Sequence, residues 1–262
     1  MTDILIIPDS HTRPGVSNRR FRWLGKLVLD LKPDVVVDLG DFTDFPSLSS
    51  YDGSQLTGGK KPTKAFEGRR YKDDVAAGVE ARGIFHEELQ RAGRKRPRRV
   101  ALGGNHDAER INRVTNLVPE LGDTISVSDQ LHKEYGWEYF PFLESVEIAG
   151  FSFAHYHVGG VMGKPAATGE NPASTMLKKL YCSTIQGHLH LWDESHRTKG
   201  TGQKIQAISA GVFLDPGQKE AYAGPAQRLW DNGVTLLRDA DKGFAQGGFT
   251  FITVGRLQQV YG

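Results

Sequence analysis

Short β-prone runs in this chain repeatedly end in clusters of Asp, His and Asn, and this pattern restricts the fold more than any other feature. Ile4-Leu5-Ile6-Ile7 leads into Asp9-Ser10-His11, and Val35-Val36-Val37-Asp38-Leu39 into Gly40-Asp41. Val100-Ala101-Leu102-Gly103 leads into Gly104-Asn105-His106-Asp107, and Phe151-Ser152-Phe153-Ala154 into His155. Residues 181–186 lead into Gly187-His188-Leu189-His190. Apolar runs of this length fit strands covered on both faces. In such sheets the loops at strand ends collect ligands, so these clusters are expected to share one site.

The segments between the runs read mostly as helices. Ser17 or Asn18 offers an N-cap, and Phe21, Leu24, Leu27, Val28 and Leu31 follow at helical spacing until Lys32-Pro33. Strand, helix, strand in that order implies parallel pairing through a right-handed crossover. A second helix is expected over 72–92, although Gly78 and Gly83 weaken it. A third places Ile111, Val114 and Leu117 on its inner face and ends near Pro119. Residues 137–155 alternate around the turn Ala149-Gly150, which predicts an antiparallel hairpin. Asn171-Pro172 reads as a cap followed by Pro at the first helical position. Later strands are expected at 205–209 and 249–254. Residues 42–64, with Phe42, Phe45 and Tyr51, form either a binding loop beside the site or a plain insertion. Residues 158–173 form a second Gly- and Pro-rich loop there. Neither repeat nor linker interrupts the pattern, so one domain over 1–262 is expected.

Composition narrows the class. A hydrophobic fraction of 38% over 262 residues supports a sizeable core, and a net charge of +2 gives no pull towards nucleic acid or membrane. No apolar run approaches the roughly 18 residues of a membrane span. The chain opens almost directly into its first strand, leaving no room for a signal peptide, so a soluble cytoplasmic protein without a membrane partner is expected. The single cysteine, Cys182, excludes an internal disulfide and is expected to be buried in a strand. The basic run Arg94 to Arg99 reads as a solvated connector or, less simply, as a contact for a phosphate backbone.

Asp9, His11, Asp41, Asn105, His155, His188 and His190 mix hard oxygen donors with imidazole and include no thiolate. That set suits Mn²⁺, Fe or Zn²⁺ better than Ca²⁺ and does not suit a structural zinc site. It is too large for one tetrahedral ion and about right for two, if one carboxylate bridges them. Two such ions a few ångströms apart clamp a phosphoryl group. His157 competes with His155 for one ligand position, and His155 is preferred because it lies nearest the strand end.

The ordered set Asp-x-His, Gly-Asp-x-x-Asp, Gly-Asn-His-Asp, a lone His and Gly-His-x-His resembles the calcineurin-like metallophosphoesterase superfamily. Here these are Asp9 and His11; Gly40, Asp41 and Asp44; Gly104 to Asp107; His155; and Gly187, His188 and His190. The resemblance spans residues 9–190. It implies an α/β fold, a four-layer α-β-β-α sandwich of mixed sheets with the metals at the strand ends. It implies that Asp9, His11, Asp41 and His190 hold one divalent ion, and Asp41, Asn105, His155 and His188 a second. Manganese comes first, with iron, zinc or magnesium as alternatives. His106 is implied as the proton donor to the leaving group, with Asp107 orienting its ring. The family's second Asp, here Asp44, supports the loop or the neighbouring histidine. Tyr156 departs from the pattern, which usually has Gly after the lone His.

The implied activity is hydrolysis of a phosphoester by hydroxide generated at the metals. Asp44-Phe45-Pro46 lacks the Arg of the superfamily's protein phosphatases. Arg110 offers a bidentate donor to a substrate phosphate, against the plainer role of a surface helix residue. With aromatic residues in the 42–64 loop that could stack a base, this favours a phosphodiester of a nucleotide or nucleic acid. A phosphomonoesterase, a nuclease and a non-catalytic homologue are the alternatives.

Overall fold

The computed structural model describes residues 1–49, 69–91, 96–126, 135–160, 162–220 and 222–262. In chain order the elements begin with β1 (Thr2–Ile7), α1 (Arg19–Leu31), β2 (Val35–Asp38), α2 (Tyr71–Gln90), β3 (Arg98–Leu102) and α3 (Arg110–Leu117). Next come β4 (Glu138–Phe140), β5 (Val146–Ile148), β6 (Phe151–Ala154), α4 (Pro172–Leu180) and β7 (Thr184–Gln186). The chain continues through β8 (Trp192–Thr198), β9 (Lys204–Ala210), β10 (Gly233–Asp241), β11 (Phe244–Ala245), β12 (Phe249–Thr253) and α5 (Val254–Tyr261).

The first sheet has the order β11-β10-β1-β2-β3-β4, with β12 also on β10. Its centre is parallel: Ile4 pairs with Val35, Val37 with Val100, and Val100 with Glu138. The second sheet has the order β5-β6-β7-β9-β8, with β6, β7 and β9 parallel. Period-two alternation then sets the layers. Leu5, Ile7, Val36 and Ala101 meet Phe21, Leu24, Val28, Phe85 and Leu257 from α1, α2 and α5. Ile4, Ile6, Val35, Val37, Val100 and Leu102 face the second sheet, where Phe151, Phe153, Ile185 and Ile208 complete the central core. Met176 and Leu177 of α4 cover Ile205 and Ala207 on the far face. The result is an α-β-β-α sandwich of two mixed sheets, and the parallel strands of each deliver their carboxyl ends to one edge.

Several expectations are corrected. Within 137–155 only β5 and β6 form the hairpin; β4 joins the other sheet beside β3, extending the parallel set. Leu117 is 76% exposed while Ile111 is buried, because α3 is only eight residues long and its last turn overhangs the core. Cys182 is exposed, since Tyr181 turns left-handed at the end of α4 and β7 starts only at Thr184. Asn18 and Asn171 stand at the cap positions of α1 and α4 without side-chain capping bonds; Asn18 Nδ2 instead donates to Ala77 O and Glu80 Oε2 of α2. Phe42 and Phe45 are buried, so neither offers a free face to a base. Tyr51, His132 and residues 50–64 of the expected binding loop lie outside the described residues, as do Arg94 and Lys95 of the basic run. His86 is buried and His196 is exposed on β8.

Candidate metal centre

Adjacent parallel strands leave their following loops side by side, and backbone bonds lock them. Ser10 N and His11 N donate to Asp41 O at 3.1 and 2.9 Å, and Thr12 N to Phe42 O at 2.8 Å. Gly187 N donates to His155 O at 3.0 Å across β6 and β7. Asn105–Glu109 is a π-helical turn between β3 and α3, a geometry often found at functional sites. His11, Asp41, His188 and His190 all have positive φ, between 44° and 68°. For residues other than Gly this costs energy and marks a site that the surrounding structure holds in place.

The side chains converge. Asp9, His11 and His190 place one ligand atom each within 4.8 Å of one another; so do His11, Asp41 and His106, and so do Asp9, Asp41 and His155. His11 Nε2 lies 3.3 Å from His190 Nε2, which is 3.1 Å from Asp9 Oδ2. Across the site Asn105 Oδ1 lies 2.8 Å from His155 Nε2 and 2.9 Å from His188 Nδ1. Asp41 Oδ2 is 3.4 Å from His155 Nε2, so Asp41 stands between the two groups. His155 Nδ1 lies 3.0 Å from Leu39 O; that contact orients the ring and directs Nε2 inward, as second partners of metal-binding imidazoles do. His157 belongs to none of these groups, and its backbone N–H donates to Gln186 Oε1.

Several observations fit divalent ions. Asp9, His11, Asp41, His155 and His190 are buried, and buried ionisable groups need a counter-charge. Burial, helped by neighbouring His106, pushes His11 down to about 3. Burial and His155 do the same for His188, again to about 3. Both rings are therefore neutral, the form that binds metals. Burial together with the Asp9 and Asp107 charges pushes the Asp41 carboxyl well above its usual range, against the pull of His106. Burial also opposes the Asp9 charge, but His155, His190 and His11 outweigh it and lower that carboxyl. His11 Nδ1 lies 3.6 Å from Asp44 Oδ1, and Nε2 faces His190. Glycine makes room for the acids: a Cβ on Gly104 would overlap Asp41 Oδ1, and one on Gly187 would overlap Asp9 Oδ1.

The expected role of Asp107 is corrected. Its Oδ1 accepts from Gly104 N and Ala108 N, both at 2.6 Å, and its Oδ2 from Phe42 N at 3.1 Å. It ties the π turn to the β2 loop and does not touch the His106 ring. That ring is held by Asp44, whose Oδ1 lies 2.6 Å from His106 Nδ1. Burial raises the Asp44 carboxyl, but the His106 contact and nearby His11 outweigh it, leaving Asp44 well below its usual range. Arg110 Nη1 donates to the backbone oxygens of Asp44 and Phe45 and to Asp44 Oδ1, which engages it in holding Asp44.

The sequence patterns give no sign of Arg13, Arg20 or the segment around 212–231. Arg20 is fully buried and donates to Ser10 O and Ser17 O at 2.7 Å and to Phe213 O at 3.1 Å. Arg13 Nη1 bonds Glu220 Oε2 at 2.7 Å and Asp44 Oδ2 at 3.4 Å. Gln218 Nε2 donates to His11 O, and Asp231 N to His190 O, both at 3.0 Å. No motif announces such contacts, because each depends on which loops the fold brings together.

No protein-family model matches the chain. Gene 54 protein of Mycobacterium phage L5 is 26% identical over 249 residues, covering 89% of this chain and 88% of that protein. Among solved structures, YfcE, a phosphoesterase from E. coli, matches with a TM-score of 0.43 at 12% identity, over 90% of this chain and 88% of that one. TT1561 of Thermus thermophilus matches with a TM-score of 0.36 at 11% identity, over 97% and 99% of the two chains. Likeness this remote transfers no residue roles; the geometry of the site carries the functional reading.

Proposed function

We propose that this chain is a calcineurin-like metallophosphoesterase that hydrolyses a phosphodiester. The observation that carries the reading is the position of Asp41, shared between a cluster with His11 and His106 and a cluster with Asp9 and His155. Asp9, His11, Asp41 and His190 would hold one divalent ion, and Asp41, Asn105, His155 and His188 would hold a second. The mixed oxygen and imidazole donors favour Mn²⁺, with iron, zinc or magnesium also accommodated. When bound, two such ions polarise phosphoryl oxygens and acidify water.

The chain's own residues do the rest. His106 Nε2 faces the cluster, 4.0 Å from Asp41 Oδ2, and donates a proton to the departing ester oxygen. Asp44 fixes the ring through Nδ1. Arg13 and Arg110 keep Asp44 in place from two sides. Among the described residues no helix is long and apolar enough to cross a membrane.

Chelator-treated protein is expected to be inactive and to recover with added Mn²⁺. With bis-p-nitrophenyl phosphate and p-nitrophenyl phosphate compared, the diester is expected to react faster. The reverse order would make the protein a phosphomonoesterase, and inactivity towards both would contradict the enzymatic reading. Single-stranded and duplex DNA test whether polymers are accepted.

A further inference from the structure

The described residues between Val212 and Asn232 run beside the candidate site and are fastened to it at both ends. The start is tied by Phe213 N to Asp9 O at 2.9 Å, and Gln218 binds the His11 carbonyl. The end is tied by Asp231 N to His190 O, while Asp231 Oδ2 accepts from Trp192 N at 2.8 Å. Internally Gln227 Oε1 accepts from Glu220 N, and Gln227 Nε2 donates to Gln218 O. Residue 221 lies outside the described residues.

Two half-buried aromatic residues of this strap stand against the site. The Trp230 ring meets the His190 ring edge-on at a centroid distance of 4.1 Å. The Tyr222 ring lies 6.1 Å from the His106 ring and 6.0 Å from the Trp230 ring. The Tyr222 hydroxyl is buried and has no partner among the described residues, although buried hydroxyls ordinarily find one. Tyr222 stands beside His106, where the leaving group departs in the proposed reaction, and Trp230 beside His190.

Resting on that reading, we propose that Tyr222 and Trp230 determine specificity by stacking a flat base, so that the leaving group of the substrate is a nucleoside. Stacking on aromatic side chains tolerates any base, because every base has a π face. The sequence placed base stacking in the 42–64 loop; burial of Phe42 and Phe45 removes those two rings, and the strap supplies rings at the site in their place.

Equilibrium binding of AMP, ribose 5-phosphate and inorganic phosphate to the Mn²⁺-loaded full chain tests this, since the first two differ only in the base. AMP is expected to bind at least about tenfold more tightly than ribose 5-phosphate, a modest value for base stacking. Trp230→Leu and Tyr222→Leu are expected to weaken AMP binding and bring the AMP to ribose 5-phosphate ratio close to one. Trp230→Phe and Tyr222→Phe, which keep a ring, are expected to retain most of it. Equal binding of AMP and ribose 5-phosphate by the unmodified chain, or a ratio that survives both Leu variants, would overturn the proposal while leaving the phosphoesterase reading standing. Failure to bind any of the three would overturn both.

Discussion

His106 Nδ1 and Asp44 Oδ1 are 2.6 Å apart, although they lie 62 residues apart in sequence. The contact makes Asp44, not the adjacent Asp107, the carboxylate that holds the His106 ring. Arg13, Arg110 and His11 surround the same carboxylate, so its placement is determined from several directions.

Asp44→Asn keeps the shape and removes the charge. It is expected to lower kcat about 10- to 100-fold, the usual effect of losing an outer partner. His106→Ala is expected to lose about 10²–10⁴-fold, the range for a general acid. Both should retain metal. Because the two residues act as a unit, the double variant should be little worse than His106→Ala. Multiplicative losses in that cycle would show that Asp44 acts independently.

Gly104 has φ −110°, which any residue adopts, so Ala is opposed there by Asp41, whose carboxylate and backbone nitrogen a Cβ would both overlap. Gly104→Ala is expected to displace Asp41 and cost about 100-fold in rate, as misplacement by about 1 Å does, with weaker metal binding and an unchanged circular dichroism spectrum. Gly200→Ala, where a Cβ meets nothing within 4 Å, serves as the control and should behave as wild type.

The convergence of Asp9, His11, Asp41, His155 and His190 was legible in the sequence because these residues follow apolar runs, and a buried strand fixes where its last residue points. Roles that depend on cross-loop contacts were not legible. Asp107 is next to His106 in sequence, but the π turn swings its carboxylate towards backbone amides. Phe42 and Phe45 look like loop aromatics, yet Phe42 lies under the Arg82 guanidinium, 3.5 Å from its ring centroid, and Phe45 stacks on Tyr71. The strap was invisible for a different reason. Val234, Leu236 and Leu237 belong to β10, which pairs with β1 from more than 200 residues away, and nothing local records that pairing or the loop it carries beside the site.

His86 offers a stability test away from the site. Trp137 Nε1 donates to its Nε2 at 2.9 Å, Arg99 Nη1 lies 3.5 Å from its Nδ1, and Tyr135 stacks on its ring. Burial, reinforced by Arg99, Arg82 and Arg96, lowers it from 6.5 to about 3. Between those values the unfolded chain takes up a proton that the folded chain refuses. The stability this group contributes is therefore complete above pH 6.5 and drains away as pH falls towards 3. His86→Gln is expected to melt a few degrees below wild type at pH 7, in line with about 1 kcal/mol for a lost hydrogen bond. The gap should narrow at about pH 4. A gap constant across that range would contradict the linkage.

The most direct test is the metal content of purified, Mn²⁺-loaded protein, measured by mass spectrometry for wild type and Asp41→Asn. Two ions per chain in the wild type and almost none in the variant is the expected result, because one carboxylate serves both sites. A wild type that holds no ions, or an Asp41→Asn variant that keeps both, would contradict a shared dinuclear centre.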